Sequence, residues 1–252
     1  MSLHLRLLLP ALGLATGFAL GFIQPLGLLI GAGFIVLVLF APPYLPRALW
    51  CVLVLLAGIA FAAHLLPGFS PWPLWPARQI SSDAAPYALR LSWDKLLVGL
   101  TLLAWWLGQA HAADRRPLLA GAAALTTLIA VPLLALAIDV VDWQPKWPDG
   151  LWLWLAVNLG VAVLAEELLF RGLLQTRLIA WLGVYPGILL TALLFGAAHI
   201  PFSPLFALVA GVAGLGYGLL FHYSGRLSLA IALHLAVNVL HLLLLSYPLR
   251  LQ

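Results

Sequence analysis

The chain contains only two glutamates, Glu166 and Glu167, and they are adjacent inside an apolar run, Val161-Ala-Val-Leu-Ala-Glu-Glu-Leu-Leu-Phe-Arg-Gly172. A carboxylate at membrane depth costs about 2.5 kcal/mol or more, so such groups usually face a bundle interior and mark function. On a helix, Glu167 and Arg171 stand at i,i+4 and can pair. Glu166 is rotated by about 100° from its neighbour and points elsewhere. A structural ion pair therefore accounts for Glu167 and Arg171. It does not account for Glu166, which is left to face a cavity.

Two further clusters follow. Phe195-Gly-Ala-Ala-His199 closes the next apolar segment, just before Pro201. His234-Leu-Ala-Val-Asn238 lies in the last one, with His241 one turn further on. His234, Asn238 and His241 fall at i, i+4 and i+7, one polar stripe on an otherwise apolar helix. In lipid such a stripe must face protein or water. Taken singly, His199 reads as an interfacial residue and the stripe as interhelical hydrogen bonding. Taken together, carboxylates, two imidazoles and an amide can activate water and stabilise an oxyanion. That chemistry requires three helices, each presenting an inward polar group.

The rest of the chain is suited to hold them in a bilayer. Of 252 residues, 64% are hydrophobic and 8% charged, against about 25% charged in soluble domains. The expected fold class is all-α, a polytopic transmembrane helix bundle in a single membrane domain. A net charge of +4 comes from scattered arginines, not from the clustered basic face that nucleic-acid binding needs. Cys51 is the single cysteine, which excludes an intramolecular disulfide, and it reads as a small buried hydrophobe.

A helix crossing the hydrocarbon core needs about 20 residues. Apolar runs predict spans over 7–23, 26–41, 48–66, 96–112, 117–138, 150–171, 185–200, 204–222 and 227–246. That makes nine, or eight if the first two form one broken unit. Residues 1–149 are expected to hold the N-terminal spans and residues 150–246 the catalytic core. The N-terminus resembles a signal peptide, but Gln24-Pro25 leads directly into another apolar run with no small-residue cleavage site, so it reads as a retained span. Pro67 to Lys95 is rich in Pro and Trp and reads as interfacial and non-helical. Asp149 is expected to cap the next helix. The helical pattern from Asp149 to Leu182 is too long for the bilayer, which predicts a tilt, a break near Gly172, or an exit from the membrane. Arginine placement, with Arg171 and Lys95 counted on opposite sides, puts the N-terminus in the cytoplasm.

Three motifs in order resemble those of the type II CAAX prenyl endopeptidases, the CPBP or Abi family. Its pattern is Glu-Glu-x-x-x-Arg, Phe-x-x-x-His and His-x-x-x-Asn on successive membrane helices. Here it reads Glu166-Glu167-Leu-Leu-Phe-Arg171, Phe195-Gly-Ala-Ala-His199 and His234-Leu-Ala-Val-Asn238, and the likeness covers roughly residues 150–245. The resemblance implies an intramembrane endopeptidase acting on a membrane-associated protein or peptide. By analogy Glu166 with His199 activates water, His234 and Asn238 stabilise the oxyanion, and Glu167 with Arg171 supports the site. A metal-free, glutamic-type mechanism is expected, because the glutamate helix lacks a His-x-x-x-His pair. Zinc held by Glu166, His199 and His234 is the alternative.

The motifs of other intramembrane proteases are missing: His-Glu-x-x-His, Gly-x-Gly-Asp and Gly-x-Ser-x-Gly. Two readings compete with the enzyme. One is a non-catalytic peptide-binding protein, such as a bacteriocin self-immunity factor. The other is a transporter relaying protons through Glu166 and the histidines. Short loops suggest a bacterial inner membrane.

Overall fold

The computed structural model describes residues 3–109 and 115–251. Nine helices lie among them. They are α1 (Leu3–Ala19), α2 (Pro25–Leu39), α3 (Arg47–Ala62), α4 (Trp93–Trp106), α5 (Pro117–Ala137), α6 (Leu151–Leu182), α7 (Val184–Ala197), α8 (Pro204–Ser224) and α9 (Leu227–Leu244). All nine expected apolar runs are helical. The run expected over 96–112 begins earlier, at Trp93, and its end at 110–112 lies outside the described residues.

Length separates these helices. α5, α6, α8 and α9 are long and apolar enough to cross a membrane. α1, α2, α3 and α7 are apolar but have 14 to 17 residues. At 1.5 Å per residue that is about 21–26 Å, short of a hydrocarbon core of about 30 Å. Hydropathy marks such a segment as lipid-compatible without making it a full span. Among the described residues, length and composition thus support four spans plus shorter apolar helices.

The chain forms two compact units. The first contains α1 to α4 and the middle of α6, Val157–Leu174. Here α4 packs against α1, α2, α3 and the α6 segment. Gly99 sits where α4 meets α6: a Cβ there would lie 3.4 Å from the Ala165 nitrogen, so the two backbones run in close contact. Phe34, Phe61, Leu97 and Val98 are buried in this unit. Trp72–Pro73 pairs antiparallel with Arg90–Leu91, and Trp72 stacks on Phe22 at 5.4 Å. The Pro/Trp-rich connection is non-helical as expected, since Pro cannot donate to a helical ladder.

The second unit contains α5, α7, α8, α9, both ends of α6 and the segment Trp75–Leu89. Its centre is α8, packed against α5, α7 and α9. Ser203 caps α8 by accepting the Phe206 N–H, and Gly225 closes it in the left-handed region at φ +64, where glycine carries no Cβ penalty. Gly196 is required for close approach: a Cβ there would meet the Ala207 carbonyl oxygen at 2.7 Å. The C-terminal tail folds back, with Ser246 N–H donating to the Asp142 carbonyl. Burial raises the pKa of the Tyr247 phenol well above its ordinary value, and its oxygen accepts from the Trp154 indole at 3.0 Å.

α6 corrects two expectations. Its cap position is Gly150, whose carbonyl accepts from Leu153 and Trp154. Asp149 lies one residue further out and offers its own carbonyl to Arg78. Nor does α6 break at Gly172. It runs for 32 residues and takes up its excess length in two π-helical stretches, Asn158–Val163 and Leu168–Gln175.

Candidate active site

The glutamates occupy one short α-helical turn, Leu164–Glu167, between those two π stretches. Widened turns of this kind are uncommon and concentrate at functional positions. Here they alter the rotation of side chains along α6 on either side of the carboxylates.

The two glutamates differ as their helical rotation predicts. Glu167 and Arg171 are both 0% exposed, with Arg171 Nη1 donating to Glu167 Oε1 at 2.9 Å. Removing one partner of such a pair leaves an uncompensated buried charge. Glu166 is partly open, with 18% of its side chain exposed, and Lys95 Nζ donates to its Oε1 at 2.6 Å. Lys95 is the residue that sequence reasoning missed. It was counted as a loop cation when assigning orientation, yet it stands in the first turn of α4. Likewise Arg171 is a buried helical residue and says nothing about loop charge. Both of these weaken the expected orientation. No pairwise spacing along the chain could connect Lys95 to Glu166, 71 residues away.

The second unit places His199, His234 and Asn238 on one cavity of about 70 Å³. That is room for a small cluster of waters. His241, the last member of the polar stripe, lines it too. The rest of the lining is mainly apolar, including Val131, Ala135 and Val209. The stripe thus faces an interior space, as the bilayer argument requires.

Each imidazole is held differently. His234 is 5% exposed and stacks on Tyr217, centroids 4.7 Å apart and planes 18° apart. Phe195 meets it edge-on at 5.8 Å. His199 lies in the turn just after α7, with Nδ1 2.8 Å from the Phe195 carbonyl. A carbonyl oxygen only accepts, so Nδ1 carries a proton, and in the neutral ring it is Nε2 that holds the lone pair. Phe195, the aromatic of the second motif, therefore touches both histidines: its carbonyl fixes the His199 tautomer and its ring walls His234. Gly196, by letting α7 lie on α8, holds that segment in place.

Arranged in this way, the first unit supplies a solvent-accessible carboxylate beside an ammonium. The second supplies a tautomer-fixed imidazole, a stacked imidazole and an amide around a small cavity. These are the groups that general-base hydrolysis and oxyanion stabilisation use. Within either unit, no group of three His, Cys, Asp or Glu side chains among the described residues forms a metal-ligand set.

No curated protein and no solved structure matches the chain. A family model does: residues 148–240 match the type II CAAX prenyl endopeptidase Rce1-like domain. That stretch includes Glu166, Glu167, Arg171, His199, His234 and Asn238. Together with the four long apolar helices, the match fits an integral membrane protein with a protease domain. Over residues 148–240, the stretch that holds all three motifs, the chain is thus similar to the Rce1-like domain of the type II CAAX prenyl endopeptidases.

Proposed function

We propose that the protein is an intramembrane endopeptidase that hydrolyses a peptide bond of a membrane-associated protein or peptide with a water activated by glutamate and histidine. The observation that carries this reading is the cavity lined by His199, His234 and Asn238 inside apolar helices. Neutral polar groups around a wettable space are costly to keep in lipid unless something polar is handled there.

In this mechanism Glu166 accepts a proton from the attacking water while His199 Nε2 accepts a hydrogen bond from it. The oxygen adds to the scissile carbonyl carbon. His234 and Asn238 then donate to the oxyanion, and collapse expels the amine, which takes the proton back. Glu167 and Arg171 hold α6 and do not touch the substrate. The mechanism requires Glu166 and His199 to act on one water, so their losses should not add. Groups working as one unit give strongly non-additive kinetics. Glu166→Gln, His199→Ala and the double variant should each lose nearly the same activity. Losses that multiply would show two independent roles and defeat the shared water. The substrate is sought by comparing peptide termini in membranes holding the active protein or Glu166→Ala.

A further inference from the structure

In the first unit the start of α4 carries a polar arrangement that the proposed mechanism does not use. His64 lies two residues beyond α3, in the left-handed region at φ +59. Its Nδ1 sits 2.8 Å from Asp94 Oδ2. Asp94 is only 4% exposed, and its Oδ1 accepts the backbone N–H of Lys95 at 2.8 Å. That N–H is one of the first-turn donors without a partner inside the helix, and Ser92 at the cap position makes no side-chain cap bond. Asp94 thus serves the helix start, and His64 ties Asp94 to the end of α3. From that fixed start Lys95 reaches Glu166 at 2.6 Å.

Each contact has a cost that a merely decorative pair would not sustain. A non-glycine residue in the left-handed region is unfavourable, and a carboxylate buried like that of Asp94 needs charged or hydrogen-bonding partners. A flexible lysine loses side-chain entropy when held in one geometry. The arrangement delivers one result, an ammonium fixed at the open glutamate and not at the buried one. We infer that Lys95 positions the Glu166 carboxylate, and that the His64–Asp94 pair positions Lys95. The inference rests on the reading of Glu166 as the base. Lys95 acts through Glu166 and is a positioning residue, setting the direction of the carboxylate toward the water.

The test uses the full-length protein in detergent micelles and dicyclohexylcarbodiimide, an apolar reagent that adds to protonated carboxyl groups. Labelling at Glu166 is read by mass spectrometry of the peptide holding both glutamates. Wild type and Lys95→Arg should label slowly at Glu166. Lys95→Gln should label roughly tenfold faster, since the charge-assisted hydrogen bond that covers Glu166 Oε1 is lost. His64→Gln should fall between them. Lys95→Met, which keeps the apolar stem, gives the same reading if Lys95→Gln does not fold. In cleavage assays Lys95→Gln should lower kcat at unchanged KM, with Lys95→Arg restoring it. Equal labelling of wild type and Lys95→Gln would overturn the inference, even in a protein that cleaves normally. A clear labelling difference in a protein that cleaves nothing would keep Lys95 as the partner that orients Glu166 and remove the endopeptidase reading instead.

Discussion

The two units solve the same problem with opposite chemistry. In the first, every acidic group placed on α6 is met by a cation: Glu167 by Arg171 and Glu166 by Lys95. In the second, the cavity is lined without a carboxylate, lysine or arginine among the described residues, and its polar groups are imidazoles, an amide and the Tyr217 phenol. An ionised group in an apolar setting needs an opposite charge close by. An imidazole or an amide can be held by hydrogen bonds and ring stacking without a counter-charge. The first unit therefore binds its charges in ion pairs, while the second holds its polar groups around a cavity without any.

If that contrast is right, the largest effect should come from breaking the fully buried pair. Arg171→Ala strands Glu167 with no exposure to water, a change that typically costs about 3–5 kcal/mol. Folded yield and melting temperature in detergent should both fall, and activity with them. A variant that melts like wild type would show that the pair does not carry this burial. Asn238→Ala should separate the units from the other direction. In the proposed mechanism it removes an oxyanion donor, from a cavity that holds no charged side chain among the described residues. Turnover should drop by about 10²–10³-fold, with little change in melting temperature, as read by peptide cleavage on the same purified samples. Equal loss of stability and turnover would blur the distinction.

A smaller effect is expected at Gly196. Its added methyl meets backbone at the α7–α8 contact, and overpacking of this kind costs about 1–3 kcal/mol. Gly196→Ala should lower the melting temperature and displace the Phe195–His199 segment. The smallest effect is expected from metal removal. Rigorous chelation should leave cleavage unchanged. A stoichiometric zinc lost together with activity would show that the site works through metal.

Much of this was legible in the sequence. Hydropathy located all nine helices, because a segment in lipid must satisfy its own backbone and therefore reads as one apolar run. Helical rotation correctly separated the two glutamates: one buried against Arg171, the other open. The i, i+4, i+7 stripe of α9 was legible for the same reason. What escaped was whatever depends on long-range packing. Lys95 meets Glu166 only because α4 lies on α6. Its position near a loop made it look like an interfacial cation. The π-helical stretches carried no composition signal, so the excess length of α6 predicted a tilt, a break near Gly172 or an exit from the membrane, and not a widened helix. Hydropathy alone does not fix the number of full spans, because it reports compatibility with lipid while crossing also depends on length. Tyr217, stacked on His234, belongs to no sequence motif. Only the packing of α8 on α9 gives it a role.

The central claim is that Glu166, and not Glu167, is the base. Glu166→Gln keeps the shape of the side chain and removes its basicity. The variant, purified in detergent, should melt within a few degrees of wild type while peptide cleavage falls by about 10²–10⁴-fold, the usual contribution of a general base. Near-full cleavage by Glu166→Gln would contradict the account and move the chemistry to Glu167.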